Sequence, residues 1–435
     1  MLLWTIFCCL VLFVTSSEPS QAEPLGEQRR ELRHPLIPPR RTEQAKTSGG
    51  HILTPAAARI PGIGFFYGGI GGIFNLLRTE TDLFAYRFWG DMSGGGLGLT
   101  DIMLNQDSLS LNLFYNIFDR ASVEVYPRGM DSSREDRLIR HLTFFDASLA
   151  QLNWRILDRR LQFNIGINRQ REQIRSYSDQ QYHNILPGLG KSSESINLSY
   201  GSILDLSDDR SDPHKGAILE VFRYDKPRPD TREAWFYTLD YNATFYIPVL
   251  SYSTLVFNAY RSDAIVRGRG EESPESVSKS LGIDCEELSG SDKQQQCRLH
   301  EERQITDKIS ERGHGTAIPL GGTQRMQAFP TNRFYGAHSQ SFGTEFRLNL
   351  TRELSPFNIG ILSGIRTGLQ LAAFCETGTV ADASPDLLKQ KRYRSSCGGG
   401  VRLLLASGFV IRGDIAHGSE GQQFILIFQY PWNVF

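Results

Sequence analysis

Apolar and polar residues alternate along most of the chain beyond residue 60, in runs that Asp, Asn, Gly and Pro separate. A period of two sends successive side chains to opposite faces, which is the pattern of a β-strand. The clearest run starts at residue 341. One of its faces carries Phe342, Phe346, Leu348 and Leu350, and the other carries Ser341, Glu345, Arg347 and Asn349.

Fourteen such runs occur, and the turns between them contain the residues that hairpins need. They are residues 63–74, 82–91, 109–125, 142–154, 161–168, 193–204, 216–225, 235–248, 251–260, 341–350, 358–376, 397–405, 409–417 and 422–430.

The apolar faces of these strands fit two settings, the core of a large soluble β protein or the lipid of a membrane. The chain has 41 glycines and 11% aromatic residues, as expected of a membrane barrel with a polar interior and aromatic girdles. Charges on a lipid face would cost about 2 to 4 kcal/mol near the midplane, so Arg412 and Asp414 are expected to point inward. We predict an all-β fold, a transmembrane antiparallel β-barrel.

The first residues predict export. An apolar run at residues 2–15 is followed by small residues that end at Ala22, which is typical of a cleaved secretory signal at 1–22. The run is too short to span a membrane as a helix. Residues 23–59 are basic and contain prolines, so they predict a flexible periplasmic lead-in. The strand pattern then predicts one barrel domain at 60–435.

Residues 261–320 interrupt the alternation with charged residues, Gln and Ser, the composition of a solvated loop insertion. The following stretch, 321–336, is rich in Gly, Arg, Asn and aromatic residues. We predict one long extracellular loop, 261–336, whose last part folds into the lumen or caps it. Cys285 and Cys297 lie in the insertion, and a disulfide between them would close a short loop.

Other chemical signals are weak. The chain has 47 basic and 48 acidic residues, which gives no argument for nucleic acid as a partner. Cysteines beyond the signal are even in number, which in an exported chain favours disulfides over zinc. Asp414, His417 and Ser419 are residue types of a catalytic triad, but no nucleophile-elbow motif accompanies them. We predict no enzyme activity, metal or cofactor.

Several segments form a series that is more specific than any one of them. In DDRSDPHKG, an acidic residue, Arg, Pro and Gly lead into a strand, as Asp209, Arg210, Pro213 and Gly216. Glu345 and Glu376 lie on the two strands that follow the 321–336 loop. The chain ends with an aromatic terminus of Phe428, Tyr430 and Phe435. The loop itself contributes Gly321, Gly322, Arg325, Gln327, Ala328, Phe329, Pro330 and Arg333.

This series resembles the bacterial surface antigen, or BamA/TamA, superfamily of outer-membrane assembly barrels. The 321–336 segment resembles that family's lumen-inserted sixth extracellular loop, and the aromatic terminus resembles its C-terminal signal. Two features depart from the pattern. The Arg-Gly-Phe or Arg-Gly-Tyr core of the family loop is replaced by Gln327, Ala328 and Phe329. Residues 23–59 are too few to hold one of the family's periplasmic repeats.

The resemblance implies a 16-stranded barrel in the bacterial outer membrane. It implies that the barrel assists insertion or translocation of proteins or other molecules through a weak seam between its first and last strands. The implied partners are outer-membrane lipid and other outer-membrane or periplasmic assembly proteins. The alternatives are a passive pore or transporter and a structural surface antigen.

Two side-chain pairings follow as expectations. Since Gln327 has replaced the family arginine, Glu345 and Glu376 are expected to find another cation from the loop, and Arg333 is preferred over Arg325. The plainer alternative is that both arginines meet solvent. Cys375 and Cys397 are expected to form a disulfide across neighbouring strands near the outer rim, with both sulfurs outward.

Overall fold

The structure is a computed structural model. It describes residues 37–39, 49–105, 108–178, 184–186, 192–210, 212–227, 233–281, 285–287, 290–351, 357–359, 362–365, 367–388, 393–405 and 409–432. The predicted signal at 1–22, most of the lead-in and Phe435 lie outside these residues.

Nineteen strands occur in the described residues. They are β1 Gly50–Ile60, β2 Gly64–Leu76, β3 Thr81–Gly90, β4 Ser93–Asn105, β5 Leu109–Val125, β6 Leu138–Ile156, β7 Leu161–Ser178, β8 Asn184–Leu186, β9 Ser192–Asp205, β10 Gly216–Lys226, β11 Trp235–Leu250, β12 Ser253–Gly268, β13 His338–Asn349, β14 Phe357–Ile359, β15 Leu362–Ile365, β16 Thr367–Ala381, β17 Arg394–Leu405, β18 Phe409–Gly418 and β19 Gly421–Ile427.

Sixteen of the strands form a closed antiparallel barrel, which confirms the predicted fold. Each long strand pairs with its neighbours in sequence, and β19 returns to pair with β1. The short strands β8, β14 and β15 are accessory hairpin segments of three or four residues. Closure satisfies the backbone hydrogen bonds that an open sheet edge would leave exposed to lipid.

The two barrel strands that alternation missed are β1 and β4. β4 reads SGGGLGLTDIMLN, and its glycines carry no side chain to mark either face. β1 contains a run of three alanines and starts at Gly50, so the predicted lead-in ended too late and the barrel starts before residue 60. Alternation does not detect a strand of small residues, because its two faces do not differ in polarity.

The two ends of the barrel differ. We call the end where β1 starts and β19 finishes the terminal end. It has short turns, such as the two residues 251–252 between β11 and β12. The opposite end, the loop end, carries the long connections 126–137, 269–337 and 382–393. Bacterial outer-membrane barrels have short periplasmic turns and long extracellular loops. The terminal end has the turn lengths of the periplasmic side of such barrels, and the loop end has those of the extracellular side.

The outward face is apolar between two rings of aromatic residues. Trp89 and Trp235 are exposed near the loop end, and Trp154 and Tyr252 are exposed near the terminal end. Exposed Leu, Ile, Val and Phe side chains lie between them, on faces that alternate with buried polar ones. This is the pattern of a surface that contacts lipid.

The predicted loop insertion contains helices. The connection from β12 to β13 holds α1, Pro274–Leu281, and α2, Ser291–His314. β12 itself continues to Gly268, eight residues beyond the predicted limit of 260. The polar composition led to a loop prediction, but Gln, Glu, Lys and Arg are also good helix formers. No described helix is long and apolar enough to cross a bilayer.

Candidate functional site: the filled half of the lumen and the strand seam

The 321–336 loop lies inside the barrel, against the wall formed by β13 and β16–β18. Its side chains Met326, Ala328, Phe329 and Phe334 are buried in one cluster with wall residues such as Phe374. The Phe329 and Phe334 rings meet edge to face, with centroids 5.0 Å apart. The resemblance implied a lumen-inserted loop, and the described residues place the loop there.

Gly321 and Gly322 allow this loop to turn. Both have positive φ, 109° and 105°, a region that side chains rarely adopt. A Cβ at Gly321 would lie 2.2 Å from the carbonyl oxygen of Pro330, so the two arms of the loop could not approach. The close arms are held by the Gly322 N–H, which donates to the Phe329 oxygen at 2.9 Å.

Gln327 connects the loop to the wall without a charge of its own. Its backbone N–H donates to Glu376 Oε2 at 2.8 Å, and its side-chain amide donates to Glu376 Oε1 at 3.4 Å. Its side-chain oxygen accepts from Arg412 at 2.7 Å, and Arg412 also pairs with Asp414 at 2.7 Å. Arg412 further donates to the oxygen of Thr323. The cation near the lumen acid therefore comes from β18, and the loop supplies a neutral amide.

Glu345 has its own pair of cations on the wall. Arg347 Nε donates to Glu345 Oε1 at 2.5 Å, and Arg402 Nη1 donates to the same oxygen at 2.6 Å. All three side chains are buried. The predicted inward orientation of Glu345, Arg347, Arg412 and Asp414 is thus confirmed. Arg402 was not assigned to Glu345 from sequence, although its alternation with leucines on β17 signals an inward charge.

The predicted loop cations are wrong, because neither arginine reaches a lumen acid. Arg333 forms a bidentate pair with Glu420 in the β18–β19 turn, with Nη2 to Oε1 at 2.7 Å, and also binds Ser132. Arg325 lies 3.7 Å above the Tyr260 ring and donates to Asn242 Oδ1 at 3.3 Å. Both are buried, so the alternative that they meet solvent is also wrong.

The C-terminal segment 428–432 turns into the lumen after β19 ends at Ile427. Trp432 is buried; its indole N–H donates to Glu376 Oε1 at 2.7 Å, and its carbonyl oxygen accepts from Asn242 at 3.0 Å. Phe428 packs inside the barrel against Phe66 and Phe88. The prediction that the final strand runs to residue 430 is therefore wrong.

Tyr430 joins this segment to the motif that precedes β10. Its hydroxyl donates to Asp212 Oδ1 at 2.7 Å, and the guanidinium of Arg347 lies 4.3 Å above its ring. Burial raises the pKa of Tyr430 well above its usual value, so the phenol stays protonated as a donor. Burial also acts to raise the pKa of Asp212, but the contacts with His214, Arg347 and Tyr430 lower it to about 2.

The remaining motif residues form the turn that carries Asp212. Asp209 is buried and accepts a weak hydrogen bond from the Asp212 N–H at 3.4 Å; Pro213 is buried beside it. Gly216 has a φ of 113°, and a Cβ there would lie 2.2 Å from the Leu206 oxygen. Arg210 instead points into an open part of the lumen, where it donates to Gln162 at 3.4 Å.

Both predicted disulfides are confirmed. Cys285, which precedes α2, bonds to Cys297 on α2, and Cys375 bonds to Cys397 across β16 and β17. The sulfurs of the second pair face outward, as expected, because both residues are exposed. They do not lie at the outer rim: Cys375 is the ninth residue of the fifteen in β16.

A network of charges at the loop end holds the helical connection over the lumen. Arg128, between β5 and β6, pairs with Asp382 at 2.7 Å and donates to the Gly315 oxygen at 2.7 Å. Burial acts to raise the pKa of Asp382, but the contact with Arg128 lowers it overall. Asp307 on α2 accepts from the Arg128 N–H and from Tyr335. Burial raises the pKa of Asp307 in spite of these donors.

The seam between the first and last barrel strands is the weakest junction in the wall. β1 pairs with β2 over eleven residues, from Gly50 to Ile60, whereas β1 and β19 share one register pair, Arg59 with Leu426. Toward the terminal end, the accessory strand β15 pairs with β1 instead, at His51 and Ile52. A strand of seven residues, β19, cannot cover the whole edge of β1.

Asp414 and His417, two residues of catalytic-triad type, lie on opposite faces of β18. Asp414 is buried in the lumen against Arg412, whereas His417 is exposed on the outward face of the same strand. Within the described part of the chain, no cluster of three or more His, Cys, Asp or Glu residues is placed to hold a metal ion.

No protein-family model and no curated protein sequence matches the chain. Among solved structures, it is similar to BamA from Haemophilus ducreyi lacking POTRA domains 1–3, at 14% identity and a TM-score of 0.41. It is also similar to CdiB from Escherichia coli, at 10% identity and 0.49, and to CdiB from Acinetobacter baumannii, at 11% identity and 0.45.

Each of these alignments covers 87% of this chain. It covers 68% of the BamA chain, and 61% and 59% of the two CdiB chains. The chain therefore spans about three fifths of the length of the CdiB proteins. By fold the chain is a closed 16-stranded antiparallel β-barrel, the architecture that its resemblance to the BamA/TamA assembly barrels implies.

Proposed function

We propose that this chain is an outer-membrane barrel of the assembly type, which helps insert or translocate proteins or other molecules through its wall. The observation that carries the proposal is the seam. A single register pair joins β1 to β19, while seven pairs join β18 to β19. Backbone hydrogen bonds in lipid are costly to leave unmade, so the junction with fewest bonds is the least costly one to open.

The filled half of the lumen supports the same proposal against a simple pore. The 321–336 loop and the C-terminal segment meet inside the barrel, where the Trp432 N–H donates to the Gln324 oxygen at 3.2 Å. The loop end is further covered by α2 and its pairs with Arg128 and Asp382. Material that crosses this barrel along its axis has to pass the open half.

A disulfide across the seam tests the proposal. The four described cysteines already form two bonds, so Arg59→Cys and Leu426→Cys introduce two thiols that have each other as partners. Ala57→Cys with Tyr67→Cys is the matched control, because it crosslinks β1 to β2, which are already fully paired. Both pairs lie opposite each other in register, within the reach of about 7 Å between Cα atoms that a disulfide needs.

The readout is the protein and lipid composition of the outer membrane in the native host, compared with a deletion strain. We expect the oxidised seam variant to match the deletion strain and to recover on reduction, while the control matches the wild type. A locked seam with wild-type composition would contradict the proposal.

The alternative function is a passive pore, favoured by a cavity of about 1090 Å³ in the other half of the lumen. Conductance of the purified protein in planar bilayers separates the two. An assembly barrel is expected to stay closed, and removal of residues 321–336 is expected to open it. A steady conductance of the intact chain would favour the pore.

A further inference from the structure

The open half of the lumen contains a large cavity that is lined by residues of strands β2 to β11. Its volume is about 1090 Å³, just above the range of roughly 300–1,000 Å³ for ligand pockets. Phe428, Gln429 and Tyr430 close its side toward the filled half of the lumen. None of the contacts that anchor the 321–336 loop uses this cavity wall.

One side of this cavity, along β3 and β5, carries aromatic side chains where a barrel lumen is normally polar. β3 contributes Phe84, Tyr86 and Phe88, and β5 contributes Phe114 and Phe118. The outward residues of the same strands, such as Trp89 and Tyr115, are apolar as well. These strands therefore carry large aromatic side chains on both faces, and only one of those faces meets the membrane, although Asn112 and Asn116 share the inward face of β5. Aromatic surface that lines a cavity favours an apolar ligand.

The glycines of β4 form a trough between the two aromatic rows. A Cβ at Gly96 would lie 2.4 Å from Asn116 Oδ1, and one at Gly98 would lie 2.8 Å from the Phe114 ring. The rings of Tyr86 and Phe114 therefore lie over the glycines of β4, with Asn116 between them. The Tyr86 hydroxyl donates to Asn116 at 2.6 Å, so the polar group of this ring already has a hydrogen-bond partner.

The terminal end of the cavity is lined by carboxylates as well as arginines. Arg155 and Arg210 both donate to one acceptor, Gln162 Oε1, at 3.1 and 3.4 Å. Asp101 is hydrogen-bonded to Arg155 and carries one negative charge, whereas no ion pair joins Arg210 to a carboxylate among the described residues. Two guanidinium groups that share one amide oxygen repel each other, and one carboxylate balances only one of them. An additional anion would complete this group.

Arg155 also has an unused donor. Its side chain is buried, only 3% exposed, and its Nη1 atom has no hydrogen-bond partner among the described residues. A buried donor without a partner destabilises the protein, and more so when it is charged. An oxygen anion in the cavity would remove that cost, because guanidinium groups bind carboxylates and phosphates with charge-assisted bonds.

We propose that this cavity binds a lipid-like amphiphile, with an acyl chain along the β3–β5 aromatic wall and a carboxylate or phosphate head at Arg155 and Arg210. Phe145, which lies opposite Phe118, is ten residues from Arg155 along β6. At about 3.3 Å per residue, that separation is roughly 33 Å along the strand, so the site is elongated like its ligand. The proposal goes beyond the seam function and does not depend on it.

Native mass spectrometry of the purified, delipidated full chain tests this site. The probes are palmitate, a lysophospholipid with an anionic phosphate head, and hexadecanol, a long-chain neutral alcohol. We expect one equivalent of an anionic probe to bind about tenfold more tightly than hexadecanol, the effect of one charge-assisted contact. The stronger of the two anionic probes identifies a fatty acid or a phospholipid as the source.

Two variants separate the cavity from lipid bound around the barrel. Ala147→Trp fills the cavity, since Ala147 lines it beside Phe145. Ala150→Trp is the matched control on the outward face of the same strand. We expect Ala147→Trp to lose bound palmitate and Ala150→Trp to keep it. The change in gel mobility on heating shows that both variants are folded barrels before the measurement. Equal occupancy in the two variants would mean surface lipid and overturn the proposal.

The head contact has its own test. Arg155→Gln is expected to remove the preference for palmitate over hexadecanol, and Arg155→Lys to keep part of it. Arg169→Gln is the control, because Arg169 is an exposed arginine on β7 that pairs with Glu194. An unchanged preference in Arg155→Gln would overturn the assignment of the anionic head to Arg155 and Arg210. Equal affinity of the wild-type protein for hexadecanol and palmitate would overturn it too.

Discussion

Trp432 and Glu376 form a buried hydrogen bond between the last described residue and the wall of the lumen, with 2.7 Å between Nε1 and Oε1. The same carboxylate accepts from Gln327, so it joins the C-terminal segment and the 321–336 loop at one point. Residues 428–432 therefore help to fill the lumen. This contact makes the inserted loop and the segment 428–432 parts of one structure.

Replacing Trp432 with Phe removes the indole donor and keeps an aromatic ring. We expect the free energy of unfolding to fall by about 1.5 to 3 kcal/mol, the usual contribution of a hydrogen bond to a charged group. Urea denaturation in lipid vesicles measures it. Trp154→Phe is the control, because Trp154 is 51% exposed on the outward face while Trp432 is 2% exposed. Equal losses in both variants would contradict the role of this contact.

The amide of Gln327 lies between Glu376 and Arg412, so restoring an arginine there is expected to be harmful. Gln327→Arg places a second cation next to Arg412, and Arg412→Gln leaves Asp414 without its partner. Breaking a buried pair costs about 3 to 5 kcal/mol. Each single variant should make the 321–336 loop more sensitive to protease. The double variant exchanges the two groups and should recover protection; additive losses would show that they are not coupled.

Glu345 is expected to be the most sensitive carboxylate of the wall. Glu345→Gln leaves Arg347 and Arg402 buried without the acid that they share, at a cost of about 3 to 5 kcal/mol. The urea midpoint should fall strongly. Thr344→Val, on the outward side of the same strand, should leave the midpoint nearly unchanged. A small effect of Glu345→Gln would mean that Asp212 or another group takes over the charge.

The lowered pKa of Asp212 leads to a prediction of how the stability of the barrel depends on pH. Its pKa in the folded barrel is lowered to about 2 from an ordinary value of 3.8. A lowered carboxyl pKa stabilises the folded state above the ordinary value, and this contribution is lost as pH falls toward 2. Unfolding of the wild type, measured between about pH 6 and about pH 2.5, should show this loss of stability, because the range spans the ordinary carboxyl pKa of 3.8. Asp212→Asn should flatten this part of the curve, and an unchanged slope would contradict the assignment.

The orientation of the wall was accessible from sequence because it is a local property. In a strand, the face of a side chain depends only on whether its position is odd or even, so Glu345, Arg347, Arg412 and Asp414 could be placed inward without a structure. The cysteine pairs followed for a similar reason, since each lies near its partner in the chain. β4 was missed because glycines have no side chain to place.

Partners across the lumen could not be predicted in this way. Arg333 was expected to bind a lumen acid, but it binds Glu420, 87 residues away, and Arg402 binds Glu345, 57 residues away. Each choice depends on which strands face each other once the barrel closes. The inward course of residues 428–432 likewise depends on contacts with Asn242 and Asp212, which are distant in sequence.

The sequence by itself determined an all-β chain with alternating strands, inward charges and a glycine-rich loop. These follow from the two-residue period of a strand and from the backbone freedom of glycine, which act within a few residues. Only the tertiary structure decided that Gln327 bridges Glu376 and Arg412, that Trp432 lies in the lumen, and that one register pair closes the wall. Those outcomes depend on barrel closure, which brings residues far apart in the chain into contact and leaves half of the lumen open.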